Sequence, residues 1–447
     1  MIRSVLLSAV LMLFAASLAA EPLILPMRER AEVIDRWLTT RVDTVLPGLM
    51  RRAGIDLWVI VSREYNEDPV IRTFLPSTWQ SARRTTILLI FDRGEDQPLE
   101  TLAVARYNVG DRFAKAWDPE QDGEQWAHLA KLIEARDPRH IGLNYSTTFA
   151  LADGISKTEY ELFLGALPQR LHERVVSAES LAIGWLETRT ADEMVVYQQI
   201  VRIAHDILAE GLSDAVIQPG VTTTSDVEWW YRDRIRELKL TTWFHPSVDI
   251  DRSDQPEVDM KASLSKEHDA ETIMPGDLLH VDFGITYLRL NTDTQQHAYV
   301  LRPGEVDAPP ELKAALETGN RLQDILTGQF KAARTGNEIL AAALRQAKSE
   351  GITASVYTHP LGFHGHAAGP TIGLWDQQGG VPGPGDYPLH PNTAYSIELY
   401  AESFVPSWNK AVRIRLEEDA FFDGDTVRYI DGRQKEMHLI PRPAPQQ

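Results

Sequence analysis

Two segments of this chain repeat one order of events. Pro275-Gly276-Asp277-Leu278-Leu279-His280-Val281-Asp282 is a turn feeding an apolar run that ends on a carboxylate. Pro391-Asn392-Thr393-Ala394-Tyr395-Ser396-Ile397-Glu398 does the same, with the acid seven residues after the proline in both. Two helix-patterned stretches precede each segment, residues 190–210 and 225–238 in one case and 310–330 and 335–349 in the other. The order recurs although the residues differ, which implies two related half-domains facing each other across a shared site.

Upstream the pattern changes. Residues 55–61, 86–91, 102–106 and 141–144 read as short, β-branched strands, with helical stretches such as 28–37 and 124–135 among them. Strands alternating with helices mean an α/β domain, and no catalytic constellation stands out in it. Thr190-Ala191-Asp192-Glu193 is a capping box opening a helix whose apolar stripe is Met194, Tyr197, Val201, Ala204 and Leu208. A domain boundary is therefore expected near residue 180, giving an N-terminal domain over 21–180, a second domain over 181–440 and a Pro-rich, disordered tail over 441–447.

Residues 1–20 stand apart. Arg3 is their only charge, residues 5–16 are apolar but for Ser8, and Ser17-Leu18-Ala19-Ala20 offers small residues for cleavage. This is the pattern of a secretory signal peptide, cut after Ala19 or Ala20. A membrane anchor is the alternative, but it needs about 20 apolar residues. The expected location is secreted or periplasmic, with no membrane association after the signal is removed. The chain has no cysteine, so disulfides and thiolate chemistry are excluded. Its 45 basic and 64 acidic side chains, a formal charge of −19, argue against a nucleic-acid partner.

Chemistry must then come from carboxylates, imidazoles and hydroxyls, and three clusters offer them. Asp282 and Asp293 lie eleven residues apart. On a helix they would be about 16 Å apart. On a hairpin turning near Tyr287-Leu288 they would sit directly opposite, with Cβ atoms about 4.5–5.5 Å apart. Two unrelated aspartates near a turn remain the plain reading of that pair alone. His359-Pro360-Leu361-Gly362-Phe363-His364-Gly365-His366 concentrates three imidazoles, either as a site or as hydrogen-bonded structure. Glu398 and Glu417 sit in the apolar-alternating runs of a second hairpin, where an unpaired charge is costly unless it faces outward. Taken together, two aspartates, a histidine and two glutamates make an oxygen-rich box suited to two divalent ions: Mn²⁺, Co²⁺, Fe²⁺ or Zn²⁺.

These segments resemble the pita-bread metallopeptidases, which include aminopeptidase P, prolidase, methionine aminopeptidase and the metal-free creatinase. Val281-Asp282-Phe283-Gly284 and Asn291-Thr292-Asp293-Thr294 are similar to the first two ligand segments, and His359-x-x-Gly362-x-x-x-His366 to the histidine motif. Ser396-Ile397-Glu398 and Arg415-Leu416-Glu417-Glu418-Asp419 resemble the last two. The resemblance implies an α/β creatinase-like N-terminal domain and an α+β pita-bread catalytic domain with a pseudo-two-fold repeat. It implies a metal set of Asp282, Asp293, His359, Glu398 and Glu417, with Asp293 and Glu417 bridging two ions, Mn²⁺ first among them. It further implies peptide hydrolysis, at an N-terminal Xaa-Pro bond, by a metal-bridging hydroxide. Glu398 would act as proton carrier, His366 as donor to the carbonyl oxygen, and Arg415 would orient a ligand carboxylate from behind. Such relatives form dimers or tetramers.

Three positions depart from the proline-specific pattern. Leu399-Tyr400 stand where Pro-Gly is usual, and Ala367 stands where an acid follows the second histidine. The family's further upstream histidine falls between His245 and His268, so neither aligns. These departures keep open a related hydrolase for another amide or an organophosphate-like ester, and a non-catalytic peptide-binding module on the same scaffold.

Overall fold

A computed structural model describes residues 24–255 and 270–441 of the chain. The expected signal peptide, His268 and residues 442–447 of the tail lie outside the described residues. No helix among those described is long and apolar enough to cross a membrane.

The N-terminal domain is built on a six-stranded mixed sheet. Its order is Ala114–Lys115, Glu100–Val104, Thr85–Phe91, Leu57–Arg63, Ile141–Leu143 and Val175–Ser177. The central strands are apolar at nearly every position because both faces are covered. Trp58, Ile60, Leu88 and Ile90 pack under one layer of helices, while Leu57, Val59, Ile87 and Leu89 pack under Ile133 and Phe163 of the other. Helix Glu179–Glu187 leads out of this domain, with every residue from Leu181 onward buried.

In the second domain, helices Ala191–Gly211 and Thr224–Glu237 cover a four-stranded sheet ordered His438–Ile440, Thr294–Val300, Leu278–Phe283, Ser247–Asp251. Helices Pro310–Thr327 and Gly336–Ser349 cover the second half. There a long hairpin runs Thr393–Ser396 into Leu399–Val405 and returns through Lys410–Leu416 into Asp419–Phe422. Each half is thus two helices followed by strands, in the order the repeated motif implies. The halves join where Gln295 and Glu417 exchange backbone hydrogen bonds of 3.0 and 3.2 Å.

The two domains meet around one buried ion cluster. The capping box of Ala191–Gly211 is formed, with Glu193 N donating to Thr190 Oγ1 and Thr190 N donating to Glu193 Oε2. The same Glu193 carboxylate accepts from Arg41 Nη1 at 3.2 and 3.0 Å and lies 3.6 Å from Arg189. Arg41 belongs to helix Met27–Thr44 of the N-terminal domain, and all three side chains are buried. Their guanidinium carbons lie 4.9 Å (Arg41) and 4.5 Å (Arg189) from the ring of Phe363, so the first domain grips the histidine loop of the second.

One carboxylate therefore serves as both helix cap and buried counter-ion, and the two roles differ in cost. Thr190→Ala removes a cap and is expected to destabilise the metal-free protein by about 1 kcal/mol. Glu193→Ala leaves two buried guanidiniums unpaired and is expected to cost about 3–5 kcal/mol. Urea unfolding measures both, and equal losses would show that the ion cluster adds nothing beyond the cap.

Candidate metal centre

The first hairpin closes one residue later than the spacing of its aspartates suggests. Leu288 and Arg289 both adopt positive φ, 52° and 66°, which is the backbone of a two-residue turn matched to strand twist. The register that follows pairs Asp282 with Gln295 and Phe283 with Thr294. Asp282 and Asp293 are therefore diagonal neighbours on one face, not directly opposite. Two carboxylates so escape the closest cross-strand contact, and an amide takes that place.

Both glutamates sit where the long hairpin passes from one sheet to the other. Ser396 pairs with Asp419 and Leu399 with Leu416, so the same register sets Glu398 opposite Glu417. His359 opens strand His359–Leu361 and pairs with Ser396. Three sets of side chains converge here: Asp282, Asp293 and Glu417; His359, Glu398 and Glu417; and Asp293, His359 and His366. Within each set the candidate ligand atoms lie within 4.8 Å of one another. Glu417 belongs to the first two sets, and Asp293 is 3.7 Å from His359 Nε2.

The donor set fits two divalent cations. Asp282 Oδ1 and His359 Nε2 are buried without a hydrogen-bond partner. His359 Nδ1 lies 3.0 Å from the Pro360 carbonyl and donates to it, which fixes the tautomer and turns the Nε2 lone pair toward Asp293 and Glu417. Desolvation, reinforced by Glu417 and other neighbouring carboxylates, lifts Asp282, Asp293 and Glu398 well above the usual carboxylate range. Glu417 is pushed up to about 7 by desolvation, against hydrogen bonds from Ser396 and Gln295. Burial lowers His359 to about 3, so its imidazole is neutral and free to ligate.

Outer groups hold these ligands in place. Ser396 Oγ donates to Glu417 Oε1, and Asp293 N donates to Asp419 Oδ1 at 3.2 Å. Glu418 points away from the centre and accepts from Gln296 and from Gln434 N. Its other oxygen meets His205 Nε2 at 2.9 Å, and His205 Nδ1 lies 3.1 Å from Asp431. Burial opposes the His205 charge, but Asp431 and Glu418 outweigh it and raise the group to about 10. His205 is thus an imidazolium that straps helix Ala191–Gly211 to the Glu417 strand.

The remaining candidate residues fall in different surroundings. Arg415 Nη1 donates to Asp249 at 2.6 Å, not to a ligand carboxylate, because strand Ser247–Asp251 lies beside Leu278–Phe283 and presents the nearer acid. His366 is exposed, its ring 4.8 Å from His359 and 5.0 Å from Trp243. Gly365 permits this packing, since a Cβ there would lie 2.2 Å from the indole. His364 turns away, toward Arg72 and Arg189, which with burial lower it to about 4. His245 lies outside the three sets, beside Trp229 and Arg232. The glycine-rich loop at 379–385 reads as flexible in sequence, yet Asn337 pins it through Val381 N, Val381 O and Asp386.

The family model described as metallopeptidase family M24 matches residues 199–421, which include all five candidate ligands. The chain belongs to metallopeptidase family M24. Among curated proteins, none matches it in sequence. Solved structures do share its fold. The X-Pro aminopeptidase from Thermotoga maritima is 18% identical with a TM-score of 0.61, over 88% of this chain and 99% of that one. The Xaa-Pro dipeptidase from Bacillus anthracis is 17% identical with a TM-score of 0.57, over 93% and 100%. The prolidase from Pyrococcus furiosus is 14% identical with a TM-score of 0.53, over 87% and 100%. This M24 chain is therefore a metallopeptidase with a pita-bread domain behind an α/β domain.

The raised carboxylates of this M24 centre give its metal binding a definite proton linkage. Metal needs the ionised forms, whereas the metal-free cluster retains protons near neutral pH. Titrating Mn²⁺ into metal-free protein at pH 7 is expected to release about one proton or more per chain. Affinity should fall as the pH drops below about 7, the value to which Glu417 is raised. Calorimetry in buffers of different ionisation enthalpy measures the release, and none at all would contradict the protonated cluster.

Proposed function

We propose that this chain is an exported, dinuclear metal-dependent exopeptidase that cleaves the Xaa-Pro bond at the N-terminus of peptides. The observation that carries the reading is the pair of donor sets sharing Glu417, with Asp282 Oδ1 and His359 Nε2 buried and unpartnered. Asp282, Asp293 and Glu417 would hold one ion, and His359, Glu398, Asp293 and Glu417 the other. When bound, such ions supply Lewis acidity and a water acidic enough to attack at neutral pH; manganese suits the oxygen-rich set, and zinc, cobalt or iron(II) are chemically compatible.

The chain's own groups then divide the work. Glu398 Oε1 accepts from Gln295 at 3.0 Å, which leaves Oε2 to take a proton from the attacking water and return it to the leaving amine. His366, exposed beside His359, would donate to the carbonyl oxygen as negative charge develops there. Xaa-Pro selectivity is supported by solved structures named as X-Pro aminopeptidase, Xaa-Pro dipeptidase and prolidase that share this fold. Leu399 and Ala367 favour, as a second reading, a related hydrolase with another amide or ester substrate.

Protein reconstituted with Mn²⁺ or Zn²⁺ is expected to hydrolyse Xaa-Pro dipeptides or longer Xaa-Pro peptides. Asp293→Ala and Glu417→Ala should each lose bound metal and hydrolysis by more than the roughly 10–100-fold that an outer partner costs. Wild-type activity in either purified variant would sink the assignment. Hydrolysis of other amides or esters with no Xaa-Pro cleavage would favour the second reading, and fewer than one ion per chain after manganese loading would favour a non-catalytic module.

Export rests on residues 1–20, with their single charge and small-residue ending. Expression of the full chain in a bacterium should give mature protein beginning at Ala20 or Glu21 outside the cytoplasm. A cytoplasmic product retaining Met1 would contradict export.

A further inference from the structure

Across one face of the joined sheets, four side chains follow one another. Asp282 pairs with Gln295, Gln295 bridges to Glu417, and Glu417 stands opposite Glu398. Three of the four are candidate ligands, and the fourth is a neutral amide that is 6% exposed. In the ionised form that metal binding requires, carboxylates have only acceptors to offer. The amide must therefore present its nitrogen to them, and Gln295 Nε2 lies 3.0 Å from Glu398 Oε1 and 2.6 Å from Glu417 Oε2, one hydrogen for each.

That choice fixes the other end. With the nitrogen so placed, Gln295 Oε1 faces His280 Nε2 at 2.9 Å and accepts from it in the tautomer protonated there. His280 Nδ1 lies 3.4 Å from Asp249, and Asp249 is held by Arg415 Nη1 at 2.6 Å. Flipping the amide would set its oxygen against two carboxylates. The two carboxylates thus determine the orientation.

We propose that Gln295 is a positioning residue that fixes Glu398 and Glu417 for metal binding, with His280 meeting the other end of the amide. This rests on the dinuclear reading above. It predicts an asymmetry, because Glu398 and Glu417 meet at the His359 set, whereas the Asp282 and Asp293 set uses Glu417 alone. Loss of the amide should weaken the His359 ion selectively.

The test is calorimetric titration of MnCl₂ into metal-free wild-type, Gln295→Met and Gln295→Asn protein, with thermal melts to show that each variant is folded. Gln295→Met keeps the length and removes the donors. One of two binding events is expected to weaken by about 10–100-fold while the other changes by less than about three-fold. Gln295→Asn keeps the amide one methylene short and should fall between. On an Xaa-Pro peptide, kcat should drop in the same order with little change in KM. Wild-type affinities at both sites in folded Gln295→Met, or equal weakening of both, would overturn the proposal. Wild-type protein that binds no Mn²⁺ would instead overturn the dinuclear reading, and this inference with it.

Discussion

Four carboxylates crowded into one face of a sheet junction are the constraint on which this structure turns. Desolvation raises the proton affinity of Asp282, Asp293, Glu398 and Glu417, and neighbouring carboxylates push the first three further. Such a cluster opposes folding unless protons or cations neutralise it. The surroundings act accordingly. Ser396, Gln295 and the backbone of Asp293 supply or consume hydrogen bonds around it, and His359 is kept neutral with its lone pair inward. The metal chemistry and the stability of the second domain are for this reason one problem.

The framework that bears this strain is assembled from distant parts of the chain. Each half places its acids where strands change sheets, and the Gln295–Glu417 bridge is the seam between them. A second tie comes from the N-terminal domain, where Arg41 joins Glu193 and both Arg41 and Arg189 lie against Phe363. Phe363 is three residues from both His364's far neighbour His366 and the Pro360 carbonyl that orients His359. Among the described residues the three donor sets all lie in the second domain, and the α/β domain packs Arg41 against the histidine loop.

Much of this was legible in the sequence, because the signals were local. The helices at 191–211 and 336–349 carry their caps and stripes within a few residues, and the five candidate ligands lie in short recognisable segments. What was not legible depended on turn geometry and on partners far away. Leu288-Arg289 lacks the Asn-Gly or Asp-Gly pair that marks a turn with two positive φ values, so the sequence spacing places the turn one residue early. Once the register moves, Gln295 rather than Asp293 faces Asp282. Arg415 looked like a ligand's partner because Asp249, its actual partner, is 166 residues away. Gln295 carries one sign in the sequence, a polar side chain two residues after Asp293 on the same strand face.

The departures from the proline-specific pattern also acquire a physical meaning. Leu399 pairs with Val356 on one side and with Leu416 on the other. A proline there would lack the N–H that a central strand needs, so the residue after Glu398 serves the three-stranded sheet and not a turn beside the metal centre. Ala367 likewise leaves no acid next to His366. The exposed imidazole is instead flanked by Trp243 at 5.0 Å and Tyr357 at 5.8 Å, and the indole is held by its own hydrogen bond to the Thr292 carbonyl. A group brought beside His366 meets two aromatic rings and no carboxylate from the adjoining residue. Trp243 and Tyr357, in place of an acid at position 367, therefore set the surroundings of the exposed imidazole.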